Sequence, residues 1–201
     1  MKKIIAIIII LQITTNSFSQ ISYGIAGGIN ISHVTEKTNG RPTFTSDSKV
    51  RPNFGAFIQI PVGGNIIIQP ELHYSMLGYK ADSANITAGF NLDYITIPIN
   101  IKYKFHNGLG LFAGAQLGIL VNEKFFINNS SIKTNIYKNT DFSFVLGADY
   151  TFRSGISLSL SSQLGIANIL KENPILNNVT SILTASTITV GYILGKNKKW
   201  Q

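Results

Sequence analysis

The segment Ile95-Thr96-Ile97-Pro98-Ile99-Asn100-Ile101-Lys102-Tyr103-Lys104-Phe105 decides the fold. Its odd positions are Ile, Ile, Ile, Ile, Tyr and Phe; its even positions are Thr, Pro, Asn, Lys and Lys. A period of two places these sets on opposite faces of one strand. Ile156 to Ala167 repeats the pattern, with Ile156, Leu158, Leu160, Leu164 and Ile166 against Ser157, Ser159, Ser161 and Gln163.

Outward along the chain, six more segments alternate: 21–31, 53–61, 66–76, 109–121, 141–152 and 184–194. Phe57, Ile67, Phe112, Val145 and Ile193 interrupt the pattern. Pro61-Val62-Gly63-Gly64-Asn65, His106-Asn107-Gly108 and Arg153-Ser154-Gly155 read as tight turns, with glycine for positive φ. The intervening stretches from His33 to Arg51, Gly78 to Gly89, Asn122 to Thr140 and Asn168 to Ile182 are polar and read as long loops. Three short turns alternating with four long loops describe an even-stranded meander with both ends on the short-turn side. Pro70 and Pro98 cannot donate ladder bonds and mark expected bulges or bends.

Alternation alone does not say which face is outside, because a soluble barrel alternates too. Three features put the apolar faces outward. They carry no charge in any of the eight segments. The opposite faces are mostly Gly, Ser, Thr, Gln and Asn, and charged residues are only 13% of the chain, about half of what soluble domains carry. Segments of roughly ten residues also match a tilted membrane span. A closed ring of strands pairs every backbone group, as lipid requires. The predicted fold is therefore all-β: an eight-stranded antiparallel up-and-down transmembrane barrel with short periplasmic turns and four long external loops. Tyr23, Tyr74, Tyr79, Tyr94, Tyr103, Phe105, Tyr150, Phe152 and Tyr192 are candidates for interfacial girdles.

The N-terminus reads as an export signal over residues 1–19. Lys2 and Lys3 precede the apolar run Ile4 to Leu11, and Ser17-Phe18-Ser19 offers small residues for cleavage before Gln20. The run is too short for a membrane-spanning helix. The barrel domain then occupies residues 20–201 of this 201-residue chain. Without Lys2 and Lys3, 15 basic side chains face 9 acidic ones. They are dispersed rather than gathered on a dense basic face, which argues against nucleic-acid binding.

The chain has no cysteine, which excludes disulfides, thiolate metal sites, cysteine nucleophiles and lipoprotein attachment. His33, His73 and His106 are isolated from one another, so no metal site is expected, and no cofactor motif is present. Glu71, His73 and Ser75 share a strand face and invite a hydrolase reading. Residues two apart on a strand stand about 6–7 Å apart, too far for a direct bond unless the side chains lean together. Interior packing is the expected role. Glu71, Lys102, Lys104, Asp149 and Arg153 fall on polar faces and are expected to form an interior network. Glu71 and Asp149 should meet some of the three cations, because unpaired charge inside a narrow barrel is costly.

Ile68-Gln69-Pro70-Glu71-Leu72-His73-Tyr74-Ser75 resembles the "QPELxYS" segment of the PorT-like outer-membrane β-barrel family of Bacteroidetes. Leu92-Asp93-Tyr94-Ile95-Thr96-Ile97-Pro98-Ile99 is similar to its "LxYLEIPL" segment, with Thr96 in place of an acid. Gly24-Ile25-Ala26-Gly27-Gly28-Ile29-Asn30 is similar to its "GxKGGLN" start. Leu146-Gly147-Ala148-Asp149-Tyr150 and Thr189-Val190-Gly191-Tyr192 also fit, so the resemblance spans about residues 21 to 195. It implies an outer-membrane barrel. One member of that family is tied to protein secretion, and the shared segments are architectural.

The expected function is a monomeric outer-membrane barrel with a filled interior, structural or adhesive, or accessory to a transport or secretion assembly. A small-solute channel and a lipid-modifying enzyme using His73 and Ser75 are the alternatives. Expected partners are outer-membrane lipid or lipopolysaccharide and an envelope protein met through the external loops. Those loops carry Lys37, Arg41, Lys49, Arg51, Lys124, Lys133 and Lys138.

Overall fold

The computed structural model describes residues 21–83, 86–128, 130–171 and 178–195. The predicted export signal and the C-terminal Lys198-Lys199-Trp200-Gln201 lie outside the described residues.

The strands are β1 (Ser22–Thr38), β2 (Arg41–Thr45), β3 (Asp47–Gly63), β4 (Ile66–Ser83), β5 (Ile86–Lys104), β6 (Leu109–Ile127), β7 (Ser130–Lys133), β8 (Thr140–Thr151), β9 (Ile156–Gly165) and β10 (Val179–Ile193). Eight of them form one antiparallel ring in the order β1-β3-β4-β5-β6-β8-β9-β10. The pairing of β10 with β1, from Gly24↔Ile193 to Thr38↔Val179, closes it. The short strands β2 and β7 fold back on β1 and β6 at the external end. The expected eight-stranded up-and-down ring is thus observed. Closure leaves no edge, so the ladder satisfies the backbone without water.

Exposure follows the parity of the sequence. Ile95, Ile99 and Ile101 face outward, as do Leu158, Leu160 and Leu164, while Thr96, Asn100 and Lys102 are buried inside. The apolar face is therefore the outer face, and these polar side chains line the lumen.

The short turns lie where expected. Gly64, at φ 54°, turns the chain from β3 to β4, and Gly108, at φ 92°, turns it from β5 to β6. These left-handed conformations are strained for residues that carry a Cβ. The external side differs from the sequence reading. From Gly78 to Gly89 there is no long loop: β4 and β5 stay paired as far as Ser83↔Ile86. The β6 ladder likewise runs on into a hairpin with β7 at Ile127↔Ser130. Above the lipid there is no apolar face to write, so alternation ends while the backbone ladder continues.

The two prolines also behave differently from expectation. Pro70 pairs with Ile99, His73 pairs with Thr96, and the register is the same on both sides of the intervening residues. The ladder opens locally without a bulge. The register shifts fall instead at Glu36/Lys37, Ser48/Asn53, Pro61/Gly63 and Asp93/Tyr94.

Candidate functional site

Two layers of side chains fill the lumen. In the layer toward the periplasmic end, residues that break the alternation point inward. Phe57, Ile67, Val145 and Ile193 are buried. The ring of Phe57 lies against Gly24 and that of Phe112 against Gly147, where a Cβ would stand 2.4 and 2.3 Å from ring atoms. Glycine on one strand makes room for an aromatic ring from another.

The same layer is otherwise polar, with Phe57 paired to Glu71 and Phe112 to Lys102 across the ladders. Lys102 on β5 and Asp149 on β8 meet at 3.0 Å, both nearly inaccessible. Gly110 on the intervening β6 leaves the space; a Cβ there would stand 2.3 Å from Asp149 Oδ1. Glu71 does not meet a lysine or arginine as expected. Its carboxylate takes His73 Nε2 at 2.7 Å and amide donors from Gln69 and Asn100, each at 2.8 Å. The glutamate and histidine lean together despite their spacing along β4. Among the expected network residues, Lys104 is half-buried at the end of β5 and Arg153 is exposed in the β8–β9 turn. Arg153 thus lies outside the lumen, because the polar face ends with the strand and the residue falls in the turn beyond it.

The hydrolase constellation is not assembled. His73 Nδ1 faces Asn53 Oδ1 at 3.1 Å, and Ser75 Oγ accepts from Asn30 Nδ2 at 2.9 Å. The histidine therefore contacts a carboxylate and an amide, while the serine belongs to a neighbouring pair. No group of three potential metal-ligating side chains occurs among the described residues. A cavity of about 80 Å³ lies within this layer, bordered by Glu71, His73, Lys102 and Asp149 and by Ser157, Ser159 and Ser161 across the lumen. It has room for a handful of waters.

The external layer was not anticipated. Val34 on β1, Leu77 on β4, Leu92 and Tyr94 on β5, and Leu183 and Ala185 on β10 form an apolar cluster with Tyr137, Ile169 and Leu170 from the connecting segments. Val34, Leu92, Ile169 and Leu183 have no accessible surface. The segments after β7 and β9 pair through Lys138 N to Ile169 O at 2.7 Å and Lys171 N to Ile136 O at 2.9 Å. Glu123 holds this arrangement in place, accepting from Thr134 Oγ1 and from the amides of Ile136 and Tyr137 at 2.7, 2.9 and 3.2 Å. The Tyr79 and Tyr137 hydroxyls meet at 2.7 Å. Burial pushes the Tyr79 hydroxyl up to about 12, and burial also raises Tyr137. The external mouth is stoppered by apolar side chains. Isolated apolar residues inside polar stretches, Tyr137 and Ile169-Leu170, were the available signal.

The aromatic girdle is observed in part. Tyr23, Tyr103, Phe105, Tyr150, Phe152 and Tyr192 are exposed on the outer wall toward the short-turn end. Tyr79 and Tyr94 turn inward, because each shares the inward parity of its strand.

A closed ring of eight strands with an apolar exterior and a polar interior belongs to the class of membrane-spanning barrels. Residues 12–171 match the family described as outer membrane protein beta-barrel domain, and the chain belongs to that family. It is accordingly an outer-membrane protein. Among solved structures it is similar to Ail, the attachment invasion locus protein of Yersinia pestis, at TM-score 0.52 and 13% identity. That match covers 87% of this chain and 99% of that one. It is also similar to Neisserial surface protein A, at TM-score 0.50 and 10% identity, covering 84% and 96%. At these identities the likeness is one of fold. No curated protein matches the chain in sequence.

Proposed function

We propose that this is a monomeric, non-conducting outer-membrane barrel whose interior charges serve packing and whose external rim does the work. The role is structural or adhesive, or accessory to a transport or secretion assembly, with an envelope protein or outer-membrane lipid as partner. We also infer that it is exported by residues 1–19, with cleavage before Gln20, and that it is a PorT-like member from Bacteroidetes, on the shared segments quoted above.

One observation carries the reading. The apolar cluster around Leu92, Tyr137, Ile169 and Leu183 fills the external mouth, and a hydrophobic constriction without polar lining excludes hydrated solutes. The buried Lys102–Asp149 pair fits the same role, since it compensates charge that an eight-stranded lumen cannot hydrate freely, and the Glu71 carboxylate is satisfied by His73, Gln69 and Asn100. The engagement of Ser75 by Asn30 weighs against lipid-modifying chemistry at that residue. Purified protein reconstituted in planar bilayers tests the proposal. It should give no step currents, whereas steady unit conductance would establish the channel alternative.

A further inference from the structure

Several cations assigned to loops by their sequence context stand on the barrel wall. Glu123 and Phe125 on β6 face the lumen, Glu123 toward the Tyr137 segment and Phe125 against Phe90. Lys124 and Phe126 therefore face outward. On β5, Phe90 packs inward against Tyr137, which turns Gly89 and Asn91 outward. Lys49 of β3 reaches across this outer surface. Its Nζ donates to Asn91 Oδ1 at 2.7 Å and sits 3.5 Å from the centre of the Phe126 ring. Asn91 pairs with Lys124, and Lys124 pairs with Lys133 of β7. A row thus runs around the wall: Lys49, Asn91, Lys124, Lys133.

Two features of the row call for an anion. Lys124 and Lys133 are directly opposite across the ladder, a juxtaposition that costs stability when both are charged. Lys49 is crowded as well: burial, then Arg51, then Lys80 bring its ammonium down to about 8. The nearby carboxylates are engaged elsewhere, Asp93 with Arg51 at 2.6 Å and Asp82 with Lys80 at 2.5 Å. Among the described residues none forms an ion pair with Lys49, Lys124 or Lys133.

The position selects the anion's source. The row stands directly above the outward apolar belt: Val50 follows Lys49, and Val121 is three residues below Lys124, about 10 Å along the strand. That is headgroup depth on the external side. A ligand with acyl chains beside the belt and an anionic head at the row satisfies both surfaces. We propose that Lys49, Asn91, Lys124 and Lys133 form a lateral binding site for the phosphate groups of an outer-leaflet glycolipid of the lipid A type. This rests on the outer-membrane reading and gives its lipid partner a place.

The test uses the full-length protein in phosphatidylcholine nanodiscs doped with diphosphoryl lipid A or with its dephosphorylated form, with retained lipid counted by native mass spectrometry. Diphosphoryl lipid A should be retained and the dephosphorylated form lost. Each lysine near an anionic headgroup is worth roughly fivefold in affinity. Lys124→Gln/Lys133→Gln should therefore weaken retention about thirtyfold with heat-modifiable gel mobility unchanged. Lys49→Gln, as an independent variant, should weaken it roughly fivefold. Lys37→Gln/Lys171→Gln, which removes the same charge elsewhere on the external side, should leave retention intact. Equal retention of dephosphorylated lipid, an equal loss in the Lys37/Lys171 control, or displacement of the lipid by millimolar inorganic phosphate would overturn the proposal. A barrel that conducts yet retains the lipid would refute the closed-barrel reading and leave this one standing.

Discussion

Asp149 and Lys102 show what a single pair does in a lumen this narrow. Each is nearly inaccessible, and each is the other's counter-charge. Asp149→Asn leaves a buried ammonium without a partner, which costs about 3–5 kcal/mol. Adding Lys102→Met should recover most of that loss, and urea unfolding of the single and double variants in detergent micelles measures both. This pair could be foreseen, because both residues have inward parity and opposite charge. Glu71 could not be assigned its partner in the same way. Its neighbours Gln69, His73 and Asn100 are amide and imidazole groups whose reach depends on rotamers, and parity does not specify rotamers.

Lys49 gives a second outcome at this scale. Its proton is held less tightly in the fold than in the unfolded chain, because burial and the cations Arg51 and Lys80 oppose the charge. Between about pH 8 and the ordinary lysine value the unfolded state therefore binds more protons, and stability rises with pH. Relative to Lys49→Met, the wild-type protein in lipid A-free micelles should gain stability from pH 8 to pH 10, read from urea midpoints. A flat difference across that window would contradict the crowding.

Among the elements, the extended external strands were the hardest to see. Alternation reports the environment on the two faces of a strand, and it ends where the lipid ends. The ladder of β4 with β5 continues past that point, through Tyr79↔Phe90 to Ser83↔Ile86. Tyr79 and Tyr94 were expected in the girdle but turn inward, although Tyr94 shares the parity of the inward Thr96 and Asn100. The stopper was also hard to read: it joins Tyr137, Ile169 and Leu170 from segments far apart in sequence. Its anchor is testable. In Glu123→Ala, the amides of Ile136 and Tyr137 lose a charged acceptor worth about 1.5–3 kcal/mol. Hydrogen exchange at those two amides should speed up roughly ten- to hundredfold, while the β1–β10 ladder stays protected. Uniform loss of protection would mean that the segment is not an independent plug.

At the scale of the whole molecule, three patterns agree. The eight-stranded ring closes through β1 and β10, its exterior is apolar, and its lumen holds paired polar groups and inward aromatic rings beneath an apolar stopper. Ring and orientation were readable from the eight alternating segments, because one physical demand, an apolar face toward lipid, is written on every strand. The rim chemistry was not, since it depends on register between strands and on which face a lysine takes once alternation has stopped. The most direct measurement is heat-modifiable gel mobility of the mature protein recovered from the outer-membrane fraction, with boiled and unboiled samples side by side. A faster-running unboiled band in that fraction is the predicted result, because a closed barrel resists detergent until heated. A protein found soluble in the periplasm with no mobility shift would contradict it, and would mean that the apolar faces point inward.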